Sequence, residues 1–159
     1  MMTHLTGLTY DEISIGQTAS FSKLVEEQDI RMFSAISGDV NPVHLDEEFA
    51  AGTMFRGRIA HGALTGAIIS AALAMELPGP GTIYLGQTLR FTRPVKIGDR
   101  ITAHLEVIGK RDDKKIITVA CEVTNQDGKS VANGEAQVMA SREKLRIERP
   151  ALPRFKAAD

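Results

Sequence analysis

Apolar and polar residues alternate with a period of two through most of the second half of the chain. Ile101, Ala103, Leu105 and Val107 take the odd positions against Thr102, His104 and Glu106, and Ile117, Val119, Cys121 and Val123 repeat the pattern. A period of two is that of a half-buried strand, and Asp112-Asp113-Lys114-Lys115 between the two runs predicts a turn joining antiparallel neighbours. Asn125-Gln126-Asp127-Gly128 predicts a second hairpin. It leads into a strand over 131–140 whose even positions Ala132, Gly134, Ala136 and Val138 are small, so another element can pack close there. Thr18 to Val25 and Tyr84 to Phe91 supply two further strands.

The first half has helical character after an irregular start. Glu26-Glu27-Gln28-Asp29 is the acidic opening of a helix that carries Ile30, Phe33 and Ile36 and stops at Gly38. Residues 39–45 form a turn, 46–51 a short helix and 52–58 a loop. From Ala63 to Met75 the chain is almost wholly apolar, broken only by Thr65, Gly66 and Ser70. That run falls short of the roughly 20 residues a membrane span needs, so it predicts a buried core helix. A helix followed by an antiparallel sheet that must cover it is an α+β layer arrangement. One domain is expected over 1–142. Residues 143–159, charged and containing Pro150 and Pro153, are expected to be a loosely held, partly disordered extension without chemistry of its own.

Composition narrows the function. A formal net charge of −1 over 159 residues gives no broad footprint for nucleic acid or an anionic membrane, which leaves a small-molecule or protein partner. The opening Met1-Met2-Thr3-His4-Leu5-Thr6-Gly7 has neither a basic start nor an apolar core, so a cytoplasmic protein is expected. The single cysteine, Cys121, cannot form a disulfide within the chain and alternates with buried apolar residues, which predicts a small core residue. His4, His44, His61 and His104 lack the paired spacing of a zinc site. No metal is expected, and no Gly-rich phosphate loop implies a bound cofactor.

Candidate chemistry concentrates in Phe33-Ser34-Ala35-Ile36-Ser37-Gly38-Asp39-Val40-Asn41-Pro42-Val43-His44. A carboxylate and an imidazole stand five positions apart around an Asn-Pro turn, and Pro42 holds its own φ near −65° while biasing Asn41 toward extended geometry. Seventeen residues beyond His44, His61-Gly62 opens the apolar helix, whose free N-terminal amides could receive a developing oxyanion. Acid, base and oxyanion donor thus lie in one short stretch. Gly62, Gly66, Ser70 and Leu73 recur at spacings of four, four and three, on one mostly small face that could line a narrow channel with Leu73 setting its depth. Asn41 and His61 are placed on the substrate side of the same site, His61 as an orienting or packing residue rather than a second acid.

The pattern Phe-x-x-Ile-Ser-Gly-Asp-x-Asn-Pro-Val-His, followed by five residues and Ala50, resembles the hydratase signature of the MaoC-like family, the R-specific enoyl-CoA hydratases of hot-dog fold. His61-Gly62, Tyr84-Leu85-Gly86-Gln87 and Pro94-Val95-x-x-Gly98-Asp99 resemble the same family in the same order, so the likeness covers roughly residues 10 to 140. It implies a single hot-dog domain, an antiparallel sheet wrapped around a central buried helix. It also implies hydration of a trans-2-enoyl-CoA to the R-3-hydroxyacyl-CoA, with Asp39 and His44 acting on one water and the Gly62 amide holding the thioester oxygen. Asp39 is favoured as base and His44 as the group that orients the water and supplies the α-proton, and the two roles could be exchanged. Ser70 matches a family position thought to support the catalytic Asp. A homodimer is implied, with polyhydroxyalkanoate precursor supply as one metabolic setting. The only carrier is the substrate's own coenzyme A, whose phosphates could meet cations such as Arg56, Arg58, Arg90, Arg93 and Lys96. The rival readings are a 3-hydroxyacyl-[acyl carrier protein] dehydratase, an acyl-CoA thioesterase and a non-catalytic acyl-thioester binding module.

Overall fold

The computed structural model describes residues 2–156. Five strands form one antiparallel sheet in the order β2-β4-β5-β6-β3: β2 (Thr18–Leu24), β3 (Ile83–Phe91), β4 (Arg100–Arg111), β5 (Ile116–Thr124) and β6 (Ser130–Met139). The alternating runs fix which face is inside. Ile101, Ala103, Leu105 and Val107 of β4 and Ile117, Val119, Cys121 and Val123 of β5 are all buried, and register pairs Leu105 with Cys121 and Val107 with Val119. Burial pushes the Cys121 thiol up to about 11, as befits a small core residue. The β5–β6 turn closes as expected, with Gly128 at a φ of 71° and the Asn125 side-chain oxygen accepting from the amides of Asp127 and Lys129. The small positions of β6 admit β3: a Cβ on Gly134 would fall on the Thr88 carbonyl oxygen.

Across the inner face lies α4 (Gly62–Met75), which buries Leu64, Ile68, Ile69, Ala72 and Leu73 against the sheet. Burying one such side chain is worth about 1.5–3 kcal/mol, so this contact organises the core. The helix is not buried on every side. Ala63, Ala67 and Ala74 are exposed, although the apolar run as a whole predicts burial. Before α4 come α1 (Glu27–Ser37), α2 (Pro42–Leu45) and α3 (Glu47–Ala51). The expected turn at 39–45 thus contains one helical turn, because Asn41 caps it and Pro42 stands at its first position.

The two ends of the chain depart from expectation. The irregular start contains β1 (His4–Gly7), and the segment expected to be loose contains β7 (Leu145–Glu148). The two pair antiparallel, Leu5 opposite Ile147, in a second, two-stranded sheet. Lys144 reaches Glu12 at 2.6 Å, and Gln28 donates to the Phe155 carbonyl at 2.6 Å, so the tail lies back on the domain as far as α1. No helix among the described residues is long and apolar enough to cross a membrane.

Candidate active site

The site begins where α1 ends. Gly38 has a φ of 78°, in the left-handed region that glycine enters at no steric cost, and the reversal carries the chain away from the helix axis. A ladder of local bonds then sets the turn. The Asp39 amide donates to Ser37 Oγ (3.2 Å), the Asn41 amide to Asp39 Oδ1 (3.0 Å), and the Val43 amide to Asn41 Oδ1 (3.2 Å). Short polar side chains bonding the backbone two residues away explain the Ser-Gly-Asp-x-Asn-Pro string. With Oδ1 so occupied, Asp39 Oδ2 faces His44 Nε2 at 3.7 Å, the carboxylate half exposed and the imidazole buried. Asp46, nearer in sequence, instead caps α3 by accepting from the Phe49 amide.

His44 is oriented by a backbone carbonyl. Its Nδ1 lies 2.8 Å from the Ile59 oxygen, which can only accept, so Nδ1 carries the hydrogen. In the neutral ring Nε2 is then a lone pair directed toward Asp39 and the space beside it. Arg58 braces the same residue: its Nε donates to the His44 carbonyl (2.7 Å) and its Nη1 to Glu27 (2.8 Å). That guanidinium, a candidate for coenzyme A phosphates by sequence, is partly buried and bonded to Glu27 and the His44 carbonyl.

His61 packs against this pair and is shielded from solvent. It is 2% exposed, its ring stacks on His44 with centroids 3.8 Å apart at 25°, and Phe33 covers it at 5.0 Å. Its Nε2 lies 3.1 Å from both Ser34 Oγ and the Asp39 carbonyl oxygen. Sequence spacing gave no sign that three potential ligands meet here, yet atoms of Asp39, His44 and His61 fall within 4.8 Å of one another. His44 Nδ1 and His61 Nε2 are engaged by the Ile59 and Asp39 carbonyls, and Asp39 Oδ1 by the Asn41 amide.

Gly62 is the first residue of α4, so its N–H has no intrahelical acceptor and lies at the positive end of the helix dipole. The Phe91 ring rests against it: a Cβ there would lie 3.0 Å from Phe91 Cζ. A cleft of about 380 Å³ opens beside this amide, lined by Met54, Phe55, Gly62, Thr65, Phe91 and Arg93 among others. Gly66 and Ser70 follow Gly62 along α4 and are half-buried, whereas Leu73 is packed in the core at 2% exposure. Ser70 makes no hydrogen bond to Asp39 among the described residues; that carboxylate bonds to the Asn41 amide. Asn41 is exposed, its side-chain oxygen spent on the α2 cap. Sequence reasoning missed Ser34, Phe91 and the Ile59 carbonyl. Only Ser34 left a local trace, a polar residue one turn after Ile30 on the buried side of α1.

A sheet curled on one helix, with a Gly-Asp-x-Asn-Pro turn leading toward the helix N-terminus, is the arrangement of a hot-dog domain. The chain belongs to the MaoC-like family: the model of the MaoC like domain matches residues 11–129. It is similar to the (R)-specific enoyl-CoA hydratase of Rhodospirillum rubrum, 46% identical over 132 residues covering 82% of this chain and 90% of that protein. The (R)-specific enoyl-CoA hydratase of Aeromonas caviae is 42% identical over 82% of this chain and 98% of that one. The unliganded R-hydratase PhaJ1 from Pseudomonas aeruginosa superposes with a TM-score of 0.92 at 52% identity, over 98% of this chain and 99% of that one.

Proposed function

We propose that this protein hydrates trans-2-enoyl-CoA thioesters to R-3-hydroxyacyl-CoA, with Asp39 and His44 acting on a single water. The observation that carries the reading is the pair itself. A carboxylate oxygen and an imidazole lone pair stand 3.7 Å apart, both able to accept, beside an unpaired helix N-terminal amide. A water seated between them donates one hydrogen to each. As its oxygen bonds the β-carbon, one of those protons passes to the pair while the π electrons move onto the thioester oxygen, which the Gly62 amide receives. The pair then returns that proton to the α-carbon on the same face, so the product holds the elements of one water and both groups end as they began. Asp39 is favoured as the base that takes the proton and His44 as the group that orients the water and supplies the α-proton, and the two roles can be exchanged.

The substrate class comes from the relatives' specificity, and the cleft beside Gly62 offers the thioester arm a mostly apolar path with Arg93 at hand for a phosphate. We further propose that two copies work together in the cytoplasm. The exposed alanine face of α4 and the edge strand β3, with Ile83, Tyr84 and Leu85 exposed, are surfaces that a two-fold partner would cover.

The test is a mutant cycle read on crotonyl-CoA hydration. Asp39→Asn and His44→Gln should each lower kcat by about 10²-fold or more. Because both act on one water, the double variant should be little worse than the poorer single one. Near-wild-type turnover by either single variant removes that residue from the mechanism.

A further inference from the structure

We propose that His61 and Ser34 are positioning residues, a buried strut from α1 to the start of α4 that holds the Asp39 carboxylate and the His44 imidazole at working distance. The inference rests on the reading of Asp39 and His44 given above. His61 touches both partners at once: its ring face lies on His44, and its Nε2 meets the Asp39 carbonyl. Because that carbonyl can only accept, Nε2 carries the hydrogen, and Ser34 Oγ at the same 3.1 Å shares it as a second acceptor.

Two restraints on His44 are then independent. The Ile59 carbonyl fixes how the ring is turned within its own plane, and the His61 stack fixes the plane. The bond to the Asp39 carbonyl fixes the other member of the pair from the backbone side. One side chain therefore sets the separation between Oδ2 and Nε2, and a displacement near 1 Å at such a pair costs on the order of 10²-fold in rate.

Packing alone does not account for a histidine here. With the hydrogen on Nε2, His61 Nδ1 is a bare acceptor, buried and without a partner among the described residues. An unsatisfied buried polar atom is destabilising, so an apolar ring of similar shape would suit a purely structural role better. What the imidazole adds over such a ring is the Nε2–H donated to Asp39 and Ser34.

The experiment compares His61→Phe, His61→Gln and Ser34→Ala with Asp39→Asn and His44→Gln in crotonyl-CoA hydration, with thermal melting recorded for each. His61→Phe keeps an aromatic face but loses the donor; its kcat should fall about ten- to a hundredfold with KM within about twofold and a melting temperature no lower than wild type. His61→Gln restores an N–H at the reach of Nε2 and should recover most of the loss. Ser34→Ala should cost about two- to fivefold in kcat, the scale of one shared hydrogen bond, and tests the strut even if His61→Phe fails to fold. Wild-type kcat in His61→Phe or, where that variant is unfolded, in Ser34→Ala overturns the proposal. So does a loss confined to KM, or equal impairment of the Phe and Gln variants at reduced stability. If Asp39→Asn and His44→Gln are themselves active, the underlying reading fails instead, whatever His61 does.

Discussion

Asp39 Oδ2 and His44 Nε2 face each other because local bonds occupy the other polar atom of each side chain. Asp39 spends one oxygen on its own turn, and His44 spends one nitrogen on a carbonyl. These residues were legible in sequence because the motif that presents them is local, a chain of bonds two residues long at a glycine-terminated helix. Ser34, Ile59 and the stacking role of His61 were not, since each acts across a tertiary contact that no spacing reveals. Gly62 offers the cleanest test at this scale, because nothing but its main-chain N–H can donate. Gly62→Pro removes that hydrogen at a first helical position, and His61 before it has a ψ of 137°, which a following proline tolerates. Hydration should fall by about 10²–10³-fold with most of the fold retained. Gly62→Ala keeps the amide and should lose less, the exposed Phe91 ring swinging aside for the new methyl. A folded Pro variant as active as the Ala variant would place the oxyanion elsewhere.

At the scale of elements, strands with a clean period of two could be read from sequence because one face is core and the other solvent. β1 and β7 are four residues each and exist by pairing the two ends of the chain, for which there is no local signal. The apolar run of α4 was equally readable as a helix, but composition could not say which side the sheet leaves open. Leu73 shows the limit: on a helical wheel it shares the face of Gly62 and Ser70, yet it is packed in the core. Leu73→Ala should therefore destabilise by about 2–5 kcal/mol in urea unfolding, the usual cost of a truncated core leucine. If the inner end of the acyl site reaches the space so opened, kcat/KM for longer enoyl-CoAs should rise up to about tenfold relative to crotonyl-CoA. An unchanged chain-length profile in the folded variant would make Leu73 a core residue alone.

The whole molecule places its site at an open side. The uncovered face of α4, the β3 edge and the apolar residues near the Asp39 turn, Ile36 at 79% and Val40 at 67% exposure, leave much apolar surface for a chain of this size. Light scattering on the purified protein should give twice the chain mass; a monomer at micromolar concentration would contradict the two-copy proposal. The reaction itself is read by giving the wild-type protein crotonyl-CoA and longer trans-2-enoyl-CoAs, following loss of the conjugated double bond, and resolving the product on a chiral column. Hydration as proposed yields R-3-hydroxyacyl-CoA with the thioester intact. Release of free coenzyme A, an S product, or turnover of acyl carrier protein thioesters but not of coenzyme A thioesters would rule it out.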